Sequence, residues 1–220
     1  MLCFSASLQP LRLTRSPCFA CRSYVCKRQI SRPVTIPNPN FEANMVTRGA
    51  SALPRADNWT LTGTVGTVRP AFGTFDAQDA VTGEIICPCD GEALTQQGLL
   101  LRGNSSVRSS GLEPLRLGVT YVISYTVGWP STAAVVSTRT HFRLWLQGVP
   151  SPVHSVTTVL SPSPELTAPG TLENLGGQFT VTIPQIVGLV PEVEVIVEGP
   201  ANSETFLTLF DVYAEDPIVI

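Results

Sequence analysis

Two short stretches at opposite ends of the body each carry one acid among apolar neighbours. They are Val34–Glu42 (VTIPNPNFE) and Phe206–Tyr213 (FLTLFDVY). Both are rich in β-formers. If they pair, Glu42 and Asp211 become neighbours. Two carboxylates together can hold a hard cation such as Ca²⁺. Alternatively, one of them can stay protonated and work as a general acid. At a spacing of two, Asp211 falls on one strand face with Leu207, Leu209 and Tyr213. An acid on an apolar face must be paired, metal-bound or protonated, because burying a lone charge costs too much. Glu42 reads either as a turn or salt-bridge residue or as a second calcium ligand.

The aromatic residues supply a second kind of chemistry. Trp59, Trp129 and Trp145 are the three tryptophans of the chain. Sugar faces and flat polycyclic ligands both stack on such rings. In His141–Leu146, alternation puts Phe142, Leu144 and Leu146 on one face and His141, Arg143 and Trp145 on the other. Trp145 with His141 and Arg143 is therefore the expected ligand platform. Trp59 is a further ligand-binding candidate, and Trp129 is expected in the core. His141 and His154 are the two histidines, too few and too isolated for a zinc site. A nucleophile turn of the G-x-S-x-G type is absent, which disfavours hydrolase chemistry. No phosphate-binding glycine loop opens a helix, which disfavours nucleotides. Asn58-Trp-Thr60 and Asn104-Ser-Ser106 are formal glycosylation sequons.

The elements that must position these groups follow from composition and period. Of 220 residues, 43 % are hydrophobic and only 14 % charged, so the surface relies on small polar side chains. This balance suits a secreted or periplasmic β-sandwich. The 19 prolines and 17 glycines leave little room for long helices. Residues 1–33 hold Arg12, Arg15, Arg22, Lys27, Arg28 and Arg32 and no acid, whereas residues 34–220 hold eight arginines and all 17 acids. An acidic body argues against a nucleic-acid partner. The leader reads as a transit peptide, a degenerate secretion signal or an extension from an early start codon, and lies outside the fold on each reading. No apolar stretch approaches the length of a transmembrane helix, about 18 residues. Four cysteines lie in the leader, and Cys87 and Cys89 are too close together for an ordinary loop-closing bridge.

Strand periodicity fills the rest. Tyr121, Ile123, Tyr125, Val127 and Trp129 share one face of a strand, with Ser124 and Thr126 on the other. Val193, Val195 and Val197 alternate with Glu192, Glu194 and Glu198. Further strands are expected at Thr60–Val68, Ala93–Leu101, Ser105–Leu112, Ser155–Leu160, Gln178–Ile183 and Phe206–Tyr213. Gly103-Asn104 reads as a hairpin turn. Weak helical patterns span Phe75–Ala80 and Pro164–Leu175. The expectation is an all-β chain: a two-sheet antiparallel jelly-roll sandwich over 34–220, after a leader at 1–33.

The order of motifs carries a resemblance. Ile36–Glu42, Asp57–Thr60, Gly98–Leu112, Leu117–Gly128 and Leu209–Val212 follow one another as in the galactose-binding-like jelly rolls, the superfamily of many carbohydrate-binding modules. Within it, the chain resembles the Stig cyclases, which close indole-terpenoid alkaloids. The resemblance implies a calcium-stabilised jelly roll, with Glu42 and Asp211 at the matching metal positions. It also implies an acid on the last strand as proton donor, and Asp211 is the residue that matches. Two functions follow. One is a module that binds a glycan or another small ligand. The other is a Stig-like cyclase acting on an isonitrile-bearing indole terpenoid through Asp211. A structural envelope protein is a weaker third. Exposed edge strands make a homodimer an expectation as well.

Overall fold

The computed structural model describes residues 31–50, 52–76, 78–82, 84–86, 93–95, 97–109, 111–133, 136–160 and 169–216. The strands are β1 (Ser31–Pro33), β2 (Trp59–Val68), β3 (Ile85–Ile86), β4 (Ala93–Thr95), β5 (Gly98–Ser109), β6 (Thr120–Gly128), β7 (Thr138–Leu146), β8 (His154–Leu160), β9 (Leu172–Thr180), β10 (Pro191–Glu198) and β11 (Glu204–Glu215). All pairings among them are antiparallel. Apart from the small β3–β4 pair, they form one nine-stranded hydrogen-bonded system in the order β8-β7-β10-β5-β11-β6-β9, with β1 on β11 and β2 on β5. The architecture is an all-β jelly-roll sandwich.

A single bend turns this system into two layers. The second half of β5, Ser105–Arg108, pairs with β10, and its first half, Leu99–Arg102, pairs with β11. Partner β2 follows both halves and slips register between Thr62 and Thr64. At that corner a Cβ on Gly63 would fall 2.7 Å from the Asn104 carbonyl, and Gly63 has a φ of +82°. Only glycine tolerates both conditions. The first sheet is thus β8-β7-β10 with the later half of β5, and the second is β9-β6-β11 with its earlier half. Their inner faces meet where Tyr125 of β6 stacks on Phe142 of β7 at 6.1 Å.

Alternation places the core as the sequence pattern requires. Val193, Val195 and Val197 are fully buried, as are Phe142, Leu144 and Leu146, and Trp129 is a core residue. The Gly103-Asn104 hairpin is not formed, because both residues lie inside the continuous strand β5 at its bend. The helical reading of Pro164–Leu175 fails at its described end, where Leu172–Leu175 pair with β6 as strand β9. In the Phe75–Ala80 segment the described residues form bends and turns instead of a helix, and Gln78 bridges to Ile85. Ser31–Pro33, assigned by composition to the leader, pair with Glu215, Ala214 and Tyr213 as β1. Cys87 and Cys89 lie outside the described residues.

At the open side of the sandwich, His154 of β8 stacks on Phe179 of β9 with ring centroids 6.1 Å apart. Burial pushes the His154 imidazole below its ordinary pKa. A proton therefore binds the unfolded chain more readily than the folded one. This contribution is intact above about pH 6.5 and is lost as pH falls through the lowered folded value. Urea unfolding at pH 7.5 and pH 5.5 is expected to show a drop in stability that His154→Gln flattens. An equal drop in the variant would assign the effect elsewhere. Phe41, fully buried, is a second test. Phe41→Ala is expected to cost about 3–5 kcal/mol in denaturant unfolding.

Candidate functional site

The opening segment runs along the last strand. After β1, Val34 N donates to the Val212 carbonyl at 2.7 Å, and Phe210 N donates to the Pro39 carbonyl at 3.0 Å. Between and beyond these bonds the chain turns sharply, with Asn38 at φ 52° and Phe41 at φ 60°. Asn38 organises the turn: its Nδ2 donates to the Asp57 carbonyl, and its Oδ1 accepts from Ala43 N. Gln97 ties the turn down. Its Nε2 donates to the carbonyls of Phe41 and Asn44, both at 3.1 Å, and its Oε1 accepts from Val46 N. The Gln97 carbonyl in turn accepts from Thr208 Oγ1 at 3.0 Å. The loop bearing Glu42 is thereby anchored to the strand bearing Asp211, and the two distant segments do meet.

Asp211 does not sit on the face that its sequence spacing suggests. The β11–β6 register slips by one residue between Thr208 and Phe210. Leu207 and Phe210 therefore both face the core, followed by Val212 and Ala214. Asp211 turns outward with Tyr213, opposite Ser124 of β6. It is half-buried there, and burial raises its pKa. Burial, and after it the Asp211 carboxylate, raises the pKa of Tyr213. Asp211 has no ion pair and no side-chain hydrogen bond among the described residues. The donor set fits a cation in one respect: Asp211 lacks a compensating charge that a metal would supply. Among the described residues, however, no group of three or more His, Cys, Asp or Glu comes together. A hard cation beside Asp211 and Glu42 would draw most of its six to eight oxygens from backbone carbonyls and water.

The outward face of the first sheet holds the aromatic candidate. Arg139, His141, Arg143 and Trp145 point away from the core along β7, and Glu198, Ile196, Glu194 and Glu192 of β10 stand opposite them in register. The indole Nε1 of half-buried Trp145 donates to Glu194 Oε2 at 2.7 Å. The Arg108 guanidinium of β5 lies 4.5 Å from the Trp145 ring centroid, and Arg108 Nε donates to Glu192 Oε2 at 2.6 Å. His141 Nε2 lies 3.0 Å from Glu198 Oε2. His141, helped by Arg139 and Arg143, holds the Glu198 carboxyl below its usual range. These contacts fix the ring of Trp145 in one orientation before any ligand arrives.

Trp59, read from the sequence as a ligand residue, lies in the core. Its ring packs 5.1 Å from Phe41 and 4.8 Å from Phe210, and its Nε1 donates to the Asn38 carbonyl at 3.0 Å. Both faces and the polar tip are engaged, because β2 begins where the opening turn closes over the sandwich edge. Arg108 and the β10 glutamates are the residues of the Trp145 face that sequence reasoning missed as a group. The alternation of Glu192, Glu194 and Glu198 was visible, but their pairing with β7 was not.

No family model and no curated protein matches the chain. Solved structures do. The Stig cyclase Fisc from Fischerella sp. TAU, in complex with (3Z)-3-(1-methyl-2-pyrrolidinylidene)-3H-indole, superposes with a TM-score of 0.62 at 11 % identity, covering 86 % of this chain and 100 % of its own. The fold is that of the Stig cyclases. A Fischerella cyclase in complex with 4-(1H-indol-3-yl)butan-2-one gives 0.61 at 11 % identity over 86 % and 100 % of the two chains. The carbohydrate-binding module TmCBM61, in complex with β-1,4-galactotriose, gives 0.45 at 14 % identity over 80 % and 95 %. That last overlap is too loose to bear on function.

Burial penalises the charged form of Asp211, so its cost to the fold is present above the raised pKa and vanishes as pH falls below it. In metal-free buffer at pH 7, Asp211→Asn is expected to raise the thermal midpoint, by up to about 1 kcal/mol of stability. A lower midpoint would show that the carboxylate has a stabilising partner.

Proposed function

We propose that this protein is a small-ligand-binding jelly roll, with a glycan as ligand and the outward face of the first sheet as its site. One observation carries the reading: Trp145 stands in a row with His141 and Arg143, its ring held from one side by Arg108 and at its edge by Glu194. A fixed aromatic ring among hydrogen-bonding side chains is what a sugar needs. The ring takes its apolar face, and the carboxylates and guanidiniums take its hydroxyls. Little conformational freedom remains to be lost on binding. Retention on a panel of immobilised glycans tests this. Trp145→Ala is expected to weaken binding at least about tenfold, or 1.4 kcal/mol. Unchanged binding would move the site elsewhere.

Calcium belongs to the same proposal as a structural ion beside Asp211 and Glu42. Its support is the uncompensated Asp211 carboxyl on a strand to which the loop bearing Glu42 is tied. Any ion bound only by the native state raises the thermal midpoint. The rise on adding calcium chloride should disappear in Asp211→Asn and shrink in Glu42→Gln. No rise in the wild type removes the ion.

A second reading, a Stig-like cyclase, is favoured by the raised pKa of Asp211 opposite the Ser124 hydroxyl. A carboxyl that keeps its proton nearer neutrality can deliver it to an apolar substrate. The two Fischerella cyclases hold indole compounds, so an indole-terpenoid isonitrile is the substrate to try. Turnover abolished by Asp211→Asn in a folded protein would support it. No turnover by the wild type would leave the binding reading in place.

A further inference from the structure

The fold treats the two glycosylation sequons differently. Asn58-Trp59-Thr60 lies at the entry to β2. A turn closed by the bond from Trp59 N to the Ala56 carbonyl, at 3.1 Å, delivers Asn58 at a φ of 69°. Asparagine is among the few residues that accept that backbone. Trp59 sinks into the core, while Asn58 and Thr60 on either side of it are exposed. Among the described residues, neither the Asn58 carboxamide nor the Thr60 hydroxyl has a hydrogen-bond partner. Both ends of the triplet thus open to solvent around a fixed centre. Asn104-Ser105-Ser106 sits instead at the bend inside β5, between β2 and β10. Asn104 Oδ1 accepts from Gly199 N at 3.1 Å, and its carbonyl abuts Gly63. Ser105 is buried, and its hydroxyl donates to the Arg102 carbonyl at 2.6 Å.

We infer that Asn58 is the acceptor of an N-linked glycan, attached as the chain enters a secretory lumen. The inference does not rest on the binding role of the Trp145 face. The donor class is a lipid-linked oligosaccharide diphosphate. A bond forms from Asn58 Nδ2 to the anomeric carbon of the first sugar, and the bond from that carbon to the diphosphate oxygen breaks. The lipid diphosphate leaves, and Nδ2 gives up one proton to a base of the transferase. Thr60 supplies the hydroxyl that completes the acceptor triplet. Transfer belongs to the unfolded nascent chain, because folding locks Trp59 against Phe41 and Phe210. The folded molecule must then only leave room for the product, and at Asn58 it does. The place also suits a bulky hydrophilic group. Strand β2 pairs with β5 alone, and the Leu53–Thr67 bridge covers only the far end of its other edge. Trp59–Val68 carries no charge. Open strand edges invite pairing with another chain unless something blunts them, and an oligosaccharide at the head of β2 obstructs it by bulk.

The test uses the full chain, directed into the secretory lumen of a eukaryotic cell by an added signal sequence. Peptide mass spectrometry of medium and lysate, before and after digestion with peptide-N-glycosidase, reads the outcome. The peptide holding Asn58 is expected to carry a hexose and N-acetylhexosamine mass. The glycosidase should remove that mass and convert the asparagine to aspartate. Asn58→Gln and Thr60→Val should each abolish the modification, whereas Thr60→Ser and Asn104→Gln should retain it. Thr60→Val keeps both the asparagine that the turn favours and a β-branched residue in the strand, so loss of the glycan there is not a failure to fold. An unmodified Asn58 in the wild type would overturn the inference, and so would a glycan confined to Asn104. A modification of the 58–60 peptide that survives Thr60→Val would overturn it as well. A glycan on Asn58 supports it whatever the state of Asn104.

Discussion

The docking of the opening segment against the last strand holds the rest of the structure in place. Residues 31–39 run beside β11, and the turn that follows drives Phe41 between the layers, against Trp59 and Phe210. This plug needs a non-glycine residue at positive φ, a conformation that costs about 1–3 kcal/mol. Three polar side chains offset that cost. Asn38, Asn44 and Gln97 bond six backbone groups of the turn and its neighbour around Asp57. Without the plug, the end of β11 that leaves β5 would have an open edge and an uncovered aromatic cluster.

The same docking separates two chemistries on opposite sides of the molecule. The second sheet turns its outer face toward Asp211, Ser124, Thr126 and Asn174, a polar strip with one uncompensated acid. The first sheet turns its outer face toward Trp145 and a dense lattice of paired charges. A binding role draws on the second of these, an acid-catalysed role on the first. The sandwich core between them, centred on Tyr125 between Phe142 and Phe210, is apolar and continuous. Within it the Tyr125 side chain bonds that of Thr140 from the other layer, and both are buried.

Much of this fold was legible from alternation. The runs around Tyr121–Val127, Phe142–Leu146 and Val193–Val197 repeat with period two, and each buries the side that its apolar residues mark. The outward row His141, Arg143 and Trp145 followed from the same rule. Asp211 did not, because a bulge of one residue reverses every later side chain. A bulge depends on the partner strand and leaves no mark in the spacing of apolar residues when leucine and phenylalanine stand on both sides of it. Gly103-Asn104 misled for a related reason. A corner inside a long strand and a hairpin turn both call for residues that accept positive φ, and only the partners of β5 distinguish them.

Period, composition and turn chemistry, all short-range properties, settled an all-β chain with buried valine and aromatic stripes, and they named the row that Trp145 would share. Pairing between strands far apart in the chain was decided elsewhere. Which glutamates face Arg108 and His141, and which way Asp211 points, depend on the register of that pairing. Register is set when two layers close on one core, where a shift of one residue exchanges the buried side for the exposed one. That choice belongs to the packed molecule, because only there do distant side chains compete for the same interior.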